Sequence, residues 1–156
     1  MTLVSPDLAE RATPKELGLG DGAILVVEDH VLVRMDIVSG LEDAGFVIVS
    51  AKNAELAIEM FDADPPRIRP LVTDVRLGSG KLGWEIARHL RHAVPAMPVI
   101  YVSGESARNW GKHGVPNSIM ISKPFEMARL VTELSNLLDQ LSLGEHIAPA
   151  DALILT

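Results

Sequence analysis

The sequence predicts an α/β fold in which helices cover both faces of a parallel sheet. Short apolar segments rich in β-branched residues alternate five times with helical patterns along the chain. The first of these segments, AILVV (23–27), is apolar without interruption, which is typical of a strand buried on both faces. Strands that alternate with helices form βαβ units, and such units build a parallel sheet with helices on both sides.

Each strand and helix is predicted from its own local pattern. The predicted strands are AILVV (23–27), FVIVS (46–50), LVTD (71–74), PVIYVS (98–103) and SIMIS (118–122). The predicted long helices cover 31–44, 53–63, 83–92 and 125–141. Asn53 is expected to cap the second helix, which stops before Pro65. Glycine and proline between the last two strands leave room for only a brief helix.

Composition favours one ordinary globular domain. Hydrophobic residues make up 47% and charged residues 22% of the 156 residues, and we expect a domain over 23–141 between an N-terminal extension (1–22) and a C-terminal tail (142–156). The net charge of −7 disfavours binding to nucleic acid or anionic lipid, which are themselves negatively charged. The absence of cysteine excludes disulfides and thiolate sites. No signal peptide or membrane-spanning run is recognisable, so we expect a cytoplasmic protein.

Polar residues follow four of the predicted strands. In a parallel sheet of this kind, ligands bind beyond the carboxyl ends of the strands. Glu28 and Asp29 follow the first strand without a basic neighbour, although adjacent like charges raise each other's pKa unless a cation lies between them. Asp74 and Ser103 end the third and fourth strands, and Lys123 follows the fifth. Any one of these residues could be an ordinary solvated strand end, but that explanation is poor for all five together.

These residues belong to four motifs: VVEDH (26–30), VTDVRL (72–77), VSGE (102–105) and SKPF (122–125). With these spacings, residues 22–141 resemble the receiver domains of two-component response regulators. The resemblance implies a flavodoxin-like, doubly wound, five-stranded parallel sheet with strand order 2-1-3-4-5. It also implies a chain that accepts a phosphoryl group from a sensor histidine kinase or a histidine phosphotransfer protein and thereby switches its binding to a downstream protein.

The same resemblance implies a role for each residue. Asp74 is the expected phosphoacceptor, and Glu28, Asp29, Asp74 and the backbone carbonyl of Arg76 are the expected ligands of Mg²⁺, with Mn²⁺ as an alternative. Ser103 and Lys123 are expected to contact phosphoryl oxygens, and the Lys123–Pro124 peptide is a candidate for the cis form. Phosphoryl transfer depends on positioning and countercharge, which a divalent ion bound by oxygen ligands provides. That ion would be the positive charge missing beside Glu28 and Asp29.

The sequence departs from the family pattern mainly on and between the fourth and fifth predicted strands. Met120 stands where many receivers have an aromatic residue. Strand alternation is expected to place Tyr101 on the same face as Ser103, so we do not expect Tyr101 simply to substitute for that aromatic. Glu28 stands where many members have aspartate. Trp110 is a candidate partner contact. Arg76 is either a shield for the phosphorylated aspartate or an ordinary surface arginine.

The leading hypothesis is a stand-alone receiver that is no enzyme beyond catalysing its own phosphorylation and dephosphorylation. One alternative is a phosphatase with an aspartyl-phosphate intermediate, but such enzymes usually carry a second aspartate two residues after the nucleophile, a spacing VVEDH lacks. Another is a receiver-like interaction module that never accepts phosphate. The apolar stripe of helix 125–141 and the apolar tail end ALILT suggest a homodimer; the alternative is a tail that folds back or is disordered.

Overall fold

The computed structural model describes residues 22–64, 68–78 and 80–146, with the backbone alone for residues 68, 69 and 141–146. Strands and helices alternate along the chain, as predicted. They are β1 (Ala23–Val27), α1 (Val31–Asp43), β2 (Ile48–Ala51), α2 (Ala54–Ala63), β3 (Ile68–Asp74), α3 (Gly83–Ala93), β4 (Val99–Ser103), α4 (Trp110–His113), β5 (Ile119–Ser122) and α5 (Met127–His146). A turn of 3₁₀ helix, Ala107–Asn109, leads directly into α4.

The five strands form one parallel sheet in the order β2-β1-β3-β4-β5, which confirms the predicted fold class. The chain reverses its direction of travel across the sheet between β1 and β3. In open α/β sheets the crevice at such a switch point is where ligands bind. The registers Val27↔Thr73 and Ser103↔Ser122 bring the carboxyl ends of β1, β3, β4 and β5 to one edge.

Two apolar cores lie on opposite faces of the sheet. On one face, alternate strand residues pack against α2 and α3, including Leu25, Val27, Leu71, Tyr101, Phe61, Trp84 and Leu90. On the other face, the intervening strand residues pack against α1 and α5, including Ile24, Val26, Val72, Ile100, Ile37, Leu41, Leu130 and Leu134. Because side chains alternate along a strand, burial of both faces explains the uninterrupted apolar runs in the sequence.

Two element boundaries differ from the prediction. β3 begins at Ile68 rather than at Leu71, and its register with β1 shifts between Ala23 and Leu25. The shift accommodates Pro70, which has no N–H to donate to a regular ladder. α5 continues to His146, five residues beyond the predicted end at Leu141. The last helical turn therefore includes residues that the sequence assigned to the tail.

The apolar stripe of α5 is used mainly by the protein's own core. Leu130, Leu134 and Leu138 are buried, and the flanking Met127 and Val131 pack against the same cluster. The ALILT segment lies outside the described residues, so the homodimer stays a prediction that now depends on that segment. Among the described residues, no helix combines the length and the apolar character needed to cross a bilayer.

Candidate functional site

Three charged side chains from three different strand ends meet at the switch point. The Lys123 Nζ donates to Glu28 Oε1 at 2.8 Å and to Asp74 Oδ2 at 2.9 Å. Glu28 is 1% exposed and Asp74 8%, so the two carboxylates are nearly removed from water. Burying a charge without a partner is costly in free energy, and here one ammonium group is the partner of both buried carboxylates. The bridge therefore joins β1, β3 and the segment after β5.

The pKa values of the bridge respond to burial and to the paired charges. Burial raises the pKa of Glu28, and the nearby charge of Asp74 raises it further, while hydrogen bonds from Lys123 and the His30 N–H oppose the rise. Burial alone would lower the pKa of Lys123. The two hydrogen bonds and the negative charges of Glu28 and Asp74 outweigh that effect, so the pKa of Lys123 lies above its usual value. The lysine is therefore held in its charged form.

The predicted metal ligands lie together at the same place. Glu28, Asp29 and Asp74 each offer a carboxylate oxygen, and these oxygens all lie within 4.8 Å of one another. Asp29 is exposed, so the cluster opens to water on one side. Oxygen donors with an open side suit Mg²⁺, which keeps several of its own waters in proteins. The Arg76 N–H donates to Asp74 Oδ1 at 3.3 Å, which places this peptide beside the carboxylate, while its carbonyl as a ligand stays a prediction.

Ser103 lies at the end of β4 and is almost fully buried. Its hydroxyl oxygen accepts the N–H of Ser106 at 2.9 Å, and its carbonyl accepts the N–H of Lys123 at the same distance. The residue is thus tied both to the start of the 3₁₀ turn and to the lysine of the bridge. The Lys123–Pro124 peptide is cis, which confirms that expectation.

Three residues near the site escaped the sequence analysis. The Thr73 hydroxyl donates to the Asp74 carbonyl at 2.7 Å, and Arg34 Nη1 donates to the Glu28 carbonyl at 2.8 Å. Gly83, the first residue of α3, lies so close to β3 that an added Cβ would clash with the Asp74 carbonyl oxygen. The glycine at the start of the predicted helix was the only sign of this close approach in the sequence. Whether glycine is required there depends on the path of the preceding loop. All three fix the backbone that carries the carboxylates.

The departures noted in the sequence lie beside β4 and β5. Tyr101 is fully buried, contacts Trp84 edge-on with ring centroids 4.6 Å apart, and accepts the Val115 N–H on its hydroxyl at 3.1 Å. Met120 packs against the same core. Trp110 is 38% exposed and donates its Nε1–H to Ser118 Oγ at 2.8 Å. The aromatic residues of this region are therefore held by core packing or by hydrogen bonds.

Arg76 lies at the mouth of the site. Its Nε is 3.8 Å from Glu105 Oε2, and both side chains are largely exposed. An ion pair of this kind contributes little to stability because water screens it. Its place beside Asp74 keeps both interpretations of Arg76 open, as a shield and as a surface residue.

The sequence and the fold are similar to those of known proteins. A family model described as "Response regulator receiver domain" matches residues 24–135. The chain is 28% identical over 117 residues to the response regulator receiver protein CpdR of Brucella abortus, covering 74% of this chain and 95% of that one. It is 26% identical over 123 residues to the sensor kinase CckA of the same organism, covering 78% of this chain and 13% of that one. A further curated relative is matched over 56% of its length.

A crystal structure of a response regulator receiver protein from Sinorhizobium medicae is 39% identical to the chain. The two superpose with a TM-score of 0.74 over 78% of this chain and 97% of that one. The similarity therefore extends over nearly the whole of a protein of known fold.

Proposed function

Because the chain belongs to the response regulator receiver family, we propose that Asp74 accepts a phosphoryl group from a phosphohistidine on a sensor kinase or a phosphotransfer protein. A carboxylate oxygen of Asp74 would form a bond to phosphorus as the nitrogen–phosphorus bond of the donor breaks. The protein would act in the cytoplasm and turn over only its own acyl phosphate. The modified domain would then bind a downstream protein differently.

The observation that carries this proposal is the bridge from Lys123 to Glu28 and Asp74. The transferred group is anionic, so an attacking carboxylate needs fixed positive charge nearby. Lys123 is only partly exposed and already contacts Asp74. Its flexible side chain can exchange a carboxylate oxygen for a phosphoryl oxygen over a short distance. The domain can thereby sense the modification within the site itself.

Glu28, Asp29 and Asp74 would hold Mg²⁺, with the Arg76 carbonyl as a further ligand. The bound ion would supply two positive charges next to the phosphoryl oxygens. Glu28 and Asp74 also contact Lys123, so the ammonium and the ion are expected to compete for the same carboxylates. Asp29 has its carboxylate exposed and is free of that competition.

A protein donor has an apolar surface available beside the site. Val31, Leu32 and Met35 on the first turns of α1 are 53%, 64% and 60% exposed. They begin two residues after Asp29, on the helix that also lines a groove of about 550 Å³ together with the segment after β5. A partner that covered this surface would bring its phosphohistidine to the edge of the sheet where Asp74 lies.

The experiment compares two phosphate donors. With acetyl phosphate and Mg²⁺, the wild type should acquire a phosphoryl label, Asp74→Asn should acquire none, and the exposed Asp36→Asn should be labelled normally. A Leu32→Ser, Met35→Ser variant should be labelled normally by acetyl phosphate but about tenfold more slowly by a phosphorylated histidine kinase. Val47→Ser serves as its control. Full labelling of Asp74→Asn would refute the phosphoacceptor role, and equal slowing with both donors would refute the docking role of α1.

A further inference from the structure

Positive charge is concentrated in one part of this acidic chain. Residues 75–123 contain seven lysines and arginines against two acidic residues, whereas the rest contains seven against nineteen. Lys123 belongs to the site described above, and Arg76 pairs with Glu105. A local excess of one sign creates a field that attracts the opposite charge even when the whole molecule is acidic. The positions of the remaining cations therefore indicate where the protein could attract a negatively charged partner.

Four of these cations lie on α4, on the 3₁₀ turn before it or on α3. Arg88 Nη2 on α3 donates to the His113 carbonyl at 3.0 Å, next to Lys112. Arg91, one turn further along α3, donates to the carbonyls of Met97, Pro116 and Asn117 at 2.6, 2.6 and 3.4 Å. Arg108 and Lys112 are both exposed and lie four residues apart on the 3₁₀ turn and α4. We call the surface formed by these four cations the basic face.

The protein itself leaves the charge of the basic face unbalanced. Within the part of the chain that the structure describes, none of its four cations has a carboxylate within 4.0 Å. The two arginines on α3 bond only to backbone carbonyls, which tie α3 to the segment before β5 without neutralising the guanidinium charge. Arg108 and Lys112 repel each other at a spacing of four residues. Anchoring of the fold accounts for Arg88 and Arg91, but it does not account for the exposed cations Arg108 and Lys112.

We propose that the basic face is a docking surface for an acidic segment of a partner protein. The cations would pair with its carboxylates. Arginine is one of the side chains that contribute most often to protein interfaces. A protein segment fits better than nucleic acid, because a long polyanion would also meet the strongly acidic remainder of the surface.

The basic face is connected to Asp74 through Ser103. The Ser103 hydroxyl holds the N–H of Ser106, and the next residue begins the 3₁₀ turn that carries Arg108. Under the proposed function, the hydroxyl turns toward a phosphoryl oxygen on Asp74 and changes its bond to Ser106. The position of Arg108 and Lys112 would then depend on phosphorylation, and so would the affinity for the acidic segment. Only this coupling rests on the proposed function, and the docking surface itself does not.

The test measures binding of a fluorescent polyglutamate peptide to the full chain at low ionic strength. The Arg108→Glu, Lys112→Glu variant should bind about tenfold more weakly than the wild type. The Lys52→Glu, Arg129→Glu variant changes the net charge equally at two exposed positions elsewhere and should bind nearly as well as the wild type. Thermal unfolding of both variants checks that they remain folded, which is expected because all four side chains are exposed.

Three results would overturn the proposal of the docking surface: no binding of polyglutamate to the wild type, equal weakening in both variants, or tighter binding of an oligonucleotide of the same charge. Acetyl phosphate with Mg²⁺ should change the affinity of the wild type but not that of Asp74→Asn. A labelled wild type with unchanged affinity would refute the coupling. Failure of labelling would refute the proposed function, while binding to the unmodified protein would still decide the docking surface.

Discussion

The acidic site and the segment that leads into β5 are held in place in contrasting ways. At the sheet edge, Lys123 contacts Glu28 and Asp74 through one flexible side chain that can exchange partners. In the segment before β5, backbone atoms of residues 113–117 are bonded to the side chains of Tyr101 on β4 and of Arg88 and Arg91 on α3. Side-chain bridges suit a region that must respond to a new charge, whereas backbone anchors suit a region that must keep its shape. The contrast predicts different consequences for mutations in the two regions.

The largest effect is expected at the bridge. Lys123→Ala should keep Mg²⁺ binding, since the oxygen ligands remain and a competing cation is lost. Its structural response to phosphorylation should disappear, because the ammonium is the group that links the acidic cluster to the end of β5. Amide NMR spectra with and without acetyl phosphate measure the response. If the amide chemical shifts across β5 changed as much in Lys123→Ala as in the wild type, this role of Lys123 would be refuted.

Loss of a metal ligand should have the next largest effect. Glu28→Gln removes one of the three carboxylates and should weaken Mg²⁺ binding by about tenfold or more. Glu42→Gln on the exposed side of α1 is the matched control and should bind normally. Titration calorimetry measures both affinities. Equal affinities in the two variants would mean that Glu28 lies outside the metal site.

A smaller effect is expected in the anchored region. Tyr101→Phe leaves the Val115 N–H without its partner and should lower the free energy of unfolding by about 1 kcal/mol. Labelling by acetyl phosphate should be unchanged, because Tyr101 does not contact the carboxylates. Urea denaturation and a labelling time course test the two expectations. A variant that was labelled much more slowly at unchanged stability would place Tyr101 in the responding region instead.

The smallest effect on stability is expected for the exposed pair at the mouth of the site. Arg76→Ala should change the free energy of unfolding by less than about 0.5 kcal/mol, because the Arg76–Glu105 pair is screened by water. The decay rate of the phosphorylated protein then separates the two interpretations of Arg76. Faster decay in Arg76→Ala than in Lys81→Ala supports a shield, and equal decay supports an ordinary surface residue.

The fold and the members of the site were accessible from the sequence because both depend on local patterns. Apolar runs mark the strands, and the residue after each run marks the edge where Glu28, Asp29, Asp74 and Lys123 meet. The direct bonds from Lys123 to Glu28 and Asp74 were not foreseen. We expected Lys123 at this edge and a divalent ion as the positive charge beside Glu28 and Asp29, whereas Lys123, 95 residues further along the chain, itself contacts Glu28.

Other features depended on geometry that has no local signal. The need for glycine at position 83 arises from the close approach of α3 to the Asp74 carbonyl, which the loop between them determines. The extension of α5 to His146 overrides Gly144, whose low helix propensity made an earlier end plausible. The anchoring of Val115 by Tyr101 likewise joins residues on two different elements.

Direct location of the phosphoryl group tests the central claim most clearly. The wild type would be incubated with acetyl phosphate and Mg²⁺, reduced with borohydride to convert any aspartyl phosphate to homoserine, digested, and sequenced by mass spectrometry. We expect homoserine at position 74, and none when Mg²⁺ is removed by a chelator. Homoserine at position 29 or 36 instead, or a protein without any modified aspartate, would contradict the assignment of Asp74 as the phosphoacceptor.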